Sequence, residues 1–141
     1  MKKLSLLLLL TILSNCSSTP SINSCFRNTI APITVFLNNP QLNGLLTPNG
    51  TAAISGGING IVLFNKGTGG SFSPYIAIDR QCPNKDCTTP MTINSPVLEC
   101  SCDGSKYSML NGSLIKGTNN CEGGARIYTV TQNGSSLQIS N

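Results

Sequence analysis

The sequence predicts a small all-β protein, and three observations support this fold class. Short runs of alternating or β-branched apolar residues recur between Gly, Pro and Asn-Gly turns. No window shows the 3.6-residue apolar repeat of a long helix. The chain has 141 residues, 14 of them Gly and 8 Pro, which suits one domain. We therefore expect an antiparallel sandwich or open barrel, without an internal repeat or a second folded domain.

The predicted strands lie between turn residues along the chain. Residues 126–131 and 136–139 alternate across the turn Asn133-Gly134, a dipeptide that supplies the positive φ angles of a tight hairpin. Residues 61–64 are wholly apolar, which places this strand in the core. The other predicted strands are residues 33–37, 52–55, 75–79, 106–110 and 113–116, and residues 42–46 add at most one helical turn.

Residues 1–15 have the plan of a secretory signal peptide, in which Lys2 and Lys3 precede a leucine-rich run. This run is too short for a permanent transmembrane helix. Cys16 follows it directly, and the arrangement resembles a bacterial lipoprotein signal, although Asn15 replaces the usual small residue. We expect Cys16 to be lipidated and the exported protein to be anchored to the bacterial envelope, on the periplasmic side of the outer membrane. The alternative is an ordinary signal peptide, with Cys16 as a structural cysteine.

The chain has nine Lys and Arg against five Asp and Glu, and cleavage before Cys16 would remove Lys2 and Lys3, so the charge of the exported protein would be nearly balanced. Because the basic residues form no patch, we expect no nucleic-acid partner, and the membrane contact to depend on the lipid. Residues 16–30 are rich in Ser, Thr, Pro and Asn, which predicts a flexible tether pinned at Cys25. Residues 31–141 form the predicted β domain.

Six cysteines follow Cys16, and an even number in an exported domain favours disulfides. They are Cys25, Cys82, Cys87, Cys100, Cys102 and Cys121. Four of them lie in two short clusters, each after an apolar segment: Cys82-x-Asn84-x-x-Cys87 and Cys100-x-Cys102-Asp103-Gly104-Ser105. Four sulfurs brought together at this spacing form a metal site or paired disulfides, and the spacing alone does not decide the pairing.

The two clusters resemble the loops of the Rieske [2Fe–2S] domain. The resemblance covers about residues 61–139 and includes the Asp79-Arg80 lead-in, Tyr107 after Gly-Ser, and the Asn-Gly hairpins. In that family each loop supplies one cysteine and one histidine to the cluster, and a second cysteine from each loop forms a bracing disulfide. The resemblance gives the ligand positions to Cys82, Asn84, Cys100 and Asp103, and it implies a Cys87–Cys102 disulfide.

The chain contains no histidine, so both imidazole positions of the resembled family carry other residues. An amide oxygen at Asn84 and a carboxylate at Asp103 are hard ligands that suit an iron–sulfur centre poorly. We therefore expect no cofactor. The resemblance then implies a second disulfide, Cys82–Cys100, stacked on the first, and leaves Cys25–Cys121 as the third.

These expectations favour a membrane-anchored lipoprotein whose degenerate, cluster-free domain is a binding or structural module for an unidentified envelope protein or ligand. The alternative is an electron-transfer protein with an atypical [2Fe–2S] or metal site at the same four ligand positions. A thiol enzyme would need Cys82 or Cys100 activated by a cation, namely Lys85, Lys106 or Arg80. A Ser-His-Asp triad is excluded by composition, and we expect no enzymatic activity.

Two aspartates and the tyrosines complete the sequence predictions. Asp79 and Asp103 are expected to pair with Arg80 or Lys106 at the surface, where such a contact contributes about 0–1 kcal/mol. The three tyrosines fall within predicted strands and are expected in the core or at a sheet edge: Tyr75, Tyr107 and Tyr128.

Overall fold

The computed structural model describes residues 24–67, 73–118 and 121–141. The fold is all-β and antiparallel, as predicted, and all eight predicted strands are present with ends within two residues of the expected ones. Within the described residues the strands are β1 (Ile33–Phe36), β2 (Thr51–Ile54), β3 (Ile61–Asn65), β4 (Tyr75–Asp79), β5 (Thr92–Asn94), β6 (Val97–Glu99), β7 (Lys106–Ser108), β8 (Leu114–Lys116), β9 (Ile127–Asn133) and β10 (Ser136–Ser140), with a 3₁₀ helix at Pro40–Leu46.

The strands form two sheets. The larger sheet has the order β1-β10-β9-β4-β3-β2 and curls into a half-barrel, while the smaller one has the order β5-β6-β7-β8. Strand β4 is interior in the larger sheet and pairs with β9, where Ala77 lies opposite Tyr128. The chain leaves β4 at Asp79 and enters the first cysteine loop three residues later, at Cys82. The first loop therefore begins near the middle of the sheet.

Strand β3 is buried on both faces, which explains its unbroken apolar sequence. Val62 and Phe64 point into a core that joins the two sheets and includes Leu98 and Tyr107 of the smaller one. Ile61 and Leu63 point to the opposite face of β3, into a second core that also contains Leu137 and Ile139 of β10. Complete burial of an aliphatic or aromatic side chain stabilises the fold by about 1.5–3 kcal/mol, so both cores contribute.

The 3₁₀ helix closes the second core, and it is longer than the single turn that we predicted. It begins after Asn39, whose side chain accepts a hydrogen bond from the Gln41 N–H at 3.0 Å, and Pro40 suits the first position. Leu42 and Leu45 are three residues apart, so they share one face of a 3₁₀ helix and are both buried.

A hairpin that the sequence pattern did not predict lies between the two cysteine loops. It consists of β5 and β6, which are three residues each, and the turn contains a cis peptide bond between Ser95 and Pro96. Thr92 pairs with Glu99 at the open end. Because the first loop precedes Thr92 and the second follows Glu99, this hairpin brings the two cysteine loops together.

Residues 24–30, the described part of the predicted tether, lie against the β domain. The Ser24 N–H donates to the Glu122 carbonyl at 2.9 Å, and Cys25 forms a disulfide with Cys121. Arg126 donates to the carbonyl of Phe26 at 3.1 Å. Residues 1–15 and the predicted lipidation residue Cys16 lie outside the described residues. Among the residues that are described, we find no helix with the length and apolar character needed to cross a membrane.

Candidate functional site

The candidate site consists of two loops, residues 82–87 and residues 100–105, which we call the first and second cysteine loops. A backbone hydrogen bond between residues three or four positions apart closes each loop. In the first, the Cys87 N–H donates to the Asn84 carbonyl at 3.1 Å, and in the second, the Gly104 N–H donates to the Cys100 carbonyl at 2.9 Å. Gly104 has φ +71°, a left-handed conformation that glycine adopts without a steric penalty. The loops are therefore defined turns.

Asn84 and Asp103, the residues at the two histidine positions of the resembled family, play the same structural part in their loops. The Asn84 side-chain oxygen accepts from the Asp86 N–H at 3.0 Å, and the Asp103 carboxylate accepts from the Ser105 N–H at 2.9 Å. A side-chain oxygen that accepts from the backbone two residues ahead is the turn typical of Asn and Asp. Both side chains thus stabilise the loop conformation.

The side chains of Asn84 and Asp103 also lie near each other across the two loops, where the Asn84 amide favours the ionised Asp103 carboxylate. Partial burial raises the pKa of the Asp103 carboxyl, but hydrogen bonds from Ser105 and Asn84 outweigh burial, so the pKa is lower than usual. The structure thus brings together the two residues that the resemblance places at the cluster.

Two disulfides lie next to each other and link the two loops, which confirms the prediction of disulfides in this protein. The structure pairs Cys82 with Cys100 and Cys87 with Cys102, the two pairs that the resemblance implies. The Sγ atoms of Cys87 and Cys100, from different disulfides, are 3.9 Å apart. Three of these four cysteines are at most 1% exposed, whereas Cys102 is exposed at the surface. The sulfurs therefore form one mostly buried cluster.

Gln81 holds the first cysteine loop by hydrogen bonds from its side chain, and the sequence pattern did not indicate this role. Its side-chain amide donates to the carbonyls of Cys82 at 3.1 Å and Cys87 at 2.7 Å. Its side-chain oxygen accepts from the amide of Asn59 at 3.3 Å. A glutamine two residues after a strand has no distinctive sequence signal, since its hydrogen-bond partners come close only when the loop has folded over it.

Asp79 is completely buried, so the predicted surface ion pair with Arg80 or Lys106 is wrong for this residue. Its Oδ2 atom accepts from the Ile58 N–H and from the Tyr128 hydroxyl, both at 2.6 Å. Its Oδ1 atom accepts from the backbone N–H of residue 59 at 3.2 Å and from that of residue 81 at 2.8 Å. Burial and the hydrogen bond to Asp79 raise the pKa of Tyr128 far above its usual value. Asp79 therefore fixes the end of β4, from which the first loop begins.

The cations near the loops have partners other than the cysteines. Lys106 lies 3.3 Å from the Glu99 carboxylate, and Arg80 donates through Nε to the Met91 carbonyl at 3.1 Å. The predicted pairing of Lys106 with an aspartate is replaced by this contact with Glu99. The interactions described for Arg80 and Lys106 thus give no indication of an activated thiol.

Tyr107 follows the second loop and is completely buried. Burial and the nearby negative charge of Asp103 raise the pKa of its hydroxyl. The hydroxyl therefore stays protonated at neutral pH and provides a hydrogen-bond donor and acceptor beside Ser105 of the second loop.

The donor set of the described loops does not fit a Rieske cluster. The sulfurs of Cys82 and Cys100 are bonded to each other, whereas a cluster needs both as thiolates. The oxygens of Asn84 and Asp103 accept from backbone N–H groups within their own turns. These hard oxygen atoms do not reproduce the two neutral imidazole ligands on which the raised potential of such clusters depends.

Two open clefts lie near the first cysteine loop. One, of about 580 Å³, is lined by Gln41, residues 53–60 and Arg80. The other, of about 310 Å³, lies between the N-terminal segment at Ser24 and Cys25 and residues 84–86. Both clefts are lined largely by polar groups, which suits a hydrated ligand or a polar protein surface better than an apolar molecule.

Comparison with known proteins finds no protein-family model that matches this sequence and no curated protein that matches it. The likeness to Rieske domains thus depends on the residues and spacing of the two cysteine loops, and it stays a prediction.

Proposed function

We propose that this protein is a lipid-anchored protein of the bacterial envelope whose disulfide-stapled, degenerate Rieske-like domain acts as a binding or structural module and not as an electron carrier. The main supporting observation is the state of the two cysteine loops. Two disulfides engage all four of their sulfurs, and the side-chain oxygens of Asn84 and Asp103 accept hydrogen bonds from the backbone of their own loops. In this proposal the covalent bonds take over the task of holding the loops, which a cofactor performs in the resembled family.

The arrangement of the six described cysteines supports export and lipidation. All six are paired with one another, so none of them is the partner of the seventh, Cys16. Three disulfides suit an oxidising compartment such as the periplasm. Cys16 directly follows the apolar leader, and none of the six paired cysteines is its partner, which suits acylation of its sulfur. In this proposal the domain is held on the periplasmic side of the outer membrane.

The module's partner is proposed to be an envelope protein or a polar ligand. The cleft beside Ser24 and Lys85 supports this, because it adjoins the stapled loops and its lining is mostly polar. The two disulfides hold the first loop in a fixed position, which reduces the conformational entropy lost on binding.

Purification of the exported protein without reducing agent tests the absence of a cluster. We expect a colourless protein without stoichiometric iron, and peptide mapping should recover the Cys82–Cys100 and Cys87–Cys102 pairs. Visible absorbance with two irons per chain, or free thiols at Cys82 and Cys100, would instead favour electron transfer. As a control, reduced and alkylated protein should give each of these peptides singly.

Fatty-acid labelling in cells tests the anchor. The wild-type protein should incorporate the label and sediment with outer membranes, whereas Cys16→Ser should do neither. Cys25→Ser is the matched control, because it removes a cysteine of the folded domain and should leave the labelling intact. Unlabelled wild-type protein in the soluble periplasmic fraction would disprove lipid attachment.

A further inference from the structure

The sulfur cluster has a geometry that disulfide bonding alone does not require. The Sγ atoms of Cys82, Cys87 and Cys100 all lie within 4.8 Å of one another. Two of them, in Cys87 and Cys100, belong to different disulfides and are 3.9 Å apart. Sulfurs in a tetrahedral zinc site, with bonds of about 2.3 Å, are about 3.8 Å apart. The distance across the two disulfides is therefore close to the edge of such a site.

We propose that reduction of the two disulfides converts this cluster into a binding site for a soft divalent cation of the Zn²⁺ or Cd²⁺ class. Cys82, Cys87 and Cys100 provide three buried thiolates. Cys102, released from Cys87, provides the fourth from the exposed side. Thiolate sulfur selects these metals over Mg²⁺ and Ca²⁺, which prefer oxygen ligands. This ligand set uses all four loop cysteines and neither Asn84 nor Asp103.

The reaction balances with a dithiol as the reductant. Two dithiol molecules each transfer two electrons and two protons to one protein disulfide and become disulfides themselves, leaving four cysteine thiols. The cation then displaces four protons as four sulfur–metal bonds form. In the reverse direction, two molecules of a small disulfide would each accept two electrons, becoming dithiols again, as the two protein disulfides re-form and the cation is released. The site therefore exists only in the reduced protein.

Rotation of side chains forms the site, and Cys102, which is outside the group of three sulfurs that lie within 4.8 Å of one another, must turn inward. The sulfurs of each disulfide must separate from about 2.05 Å to about 3.8 Å, which rotation of the side chains can provide. The Cα atoms of the two pairs are only 5.5 and 5.9 Å apart, and the Gln81 amide holds the backbone at both ends of the first loop. The loops thus keep the four sulfurs close together after the covalent bonds are broken.

The same distances argue against a second use of the cluster, a thiol relay in which Cys87 attacks the Cys82–Cys100 disulfide. In such an attack the thiolate approaches along the axis of the disulfide bond that breaks. The attacking and leaving sulfurs would therefore be about 6 Å apart. The Sγ atoms of Cys87 and Cys82 are within 4.8 Å. The three sulfurs therefore form a triangle around a common centre, which suits metal binding better than exchange.

Titration of the purified protein with Cd²⁺ tests the proposal, before and after reduction with an excess of a phosphine, which does not compete as a thiol ligand. The reduced protein should bind one Cd²⁺ per chain, seen by native mass spectrometry, with the ultraviolet band of cadmium–thiolate bonds. The oxidised protein should show neither. Cd²⁺ should displace bound Zn²⁺ from the reduced protein, because the softer cation forms the stronger bonds to thiolate sulfur, whereas Mg²⁺ should displace neither.

Two double variants that each remove two cysteines provide the matched comparison. Cys87→Ser/Cys100→Ser removes one sulfur of each loop disulfide and should abolish stoichiometric binding. Cys25→Ser/Cys121→Ser removes the disulfide outside the cluster and should leave binding unchanged. Equal binding by both variants would overturn the proposal, because it would show that Cd²⁺ collects on any available thiols.

Circular dichroism of the reduced protein shows whether the β fold survives reduction. It therefore distinguishes a folded protein without a metal site from a protein that has unfolded. A β-sheet spectrum that is kept on reduction, or regained when Cd²⁺ is added, supports a site held by the fold. A spectrum that is lost and not regained would overturn the proposal, and so would a folded, reduced protein that binds no Cd²⁺. These results are independent of whether Cys16 carries a lipid.

Discussion

Asp79→Asn should be among the most destabilising conservative substitutions in this domain. The buried carboxylate accepts four hydrogen bonds, two on each oxygen, from three backbone N–H groups and the Tyr128 hydroxyl. Asparagine keeps one oxygen and places an amide N–H₂ opposite the other two donors. A buried donor left without an acceptor costs about 1–3 kcal/mol, so we expect a loss of about 2–6 kcal/mol. Domains have a stability of about 5–15 kcal/mol, so the loss is large.

Urea unfolding followed by circular dichroism measures this loss, with Tyr128→Phe as the comparison. Tyr128→Phe removes one hydrogen bond to the carboxylate and should cost about 1.5–3 kcal/mol. When the Tyr128 hydroxyl is already absent, Asp79→Asn leaves fewer buried donors unpaired. The stability lost by the double variant should therefore be less than the sum of the losses of the two single variants. A loss below about 1 kcal/mol for Asp79→Asn, or strictly additive costs, would refute the reasoning from hydrogen bonds.

Three further predictions concern the N-terminal disulfide, the contact between the loops and alkaline pH. Cys25→Ser/Cys121→Ser should lower the free energy of unfolding by about 4–5 kcal/mol in the chain-entropy model, because the cysteines are 96 residues apart. Asn84→Ala should raise the pKa of Asp103 towards its ordinary value in an NMR titration, since it removes one of the hydrogen bonds that lower this pKa. Above about pH 10 the wild-type protein should lose stability, and Tyr128→Phe should make the loss shallower in urea unfolding at a series of pH values.

The sign of each pH effect follows from which state binds the proton more tightly. The unfolded chain releases the tyrosine proton near pH 10, whereas the folded protein retains it because burial and Asp79 raise the pKa of Tyr128. Its contribution to stability is therefore complete below pH 10 and is lost above it. The carboxyl of Asp103 behaves in the opposite way, and its contribution is lost as the pH falls through its lowered pKa. An unchanged Asp103 pKa in Asn84→Ala would show that the amide does not contribute.

The strands were predictable wherever their apolar pattern was strong. Residues 75–79 were predicted with the bounds that β4 has in the structure, because a β-branched run ends there at charged residues. Strands β5 and β6 were missed because they have only three residues each and flank a proline. Such segments become strands through pairing with a neighbour, which a local pattern does not contain.

The site could be predicted only in part, for a similar reason. The two cysteine loops are contiguous in sequence, so their spacing and turn residues could be recognised directly. The burial of Asp79 depends on Tyr128, which is 49 residues away and reaches it only through the pairing of β4 with β9. Because an aspartate beside an arginine is most often found at the surface, local sequence pointed to an ion pair there.

The disulfide between Cys25 and Cys121 fixes where the chain enters the domain. Ser24 and Cys25 line the same cleft as residues 84–86 of the first cysteine loop, so the entry point adjoins the stapled loops. If Cys16 carries the lipid, eight residue steps separate it from Ser24, and a fully extended chain covers about 28 Å over that length. The anchor would therefore keep this end of the domain within about 28 Å of the bilayer surface, and a partner of the cleft would have to approach from the side or be in the same membrane.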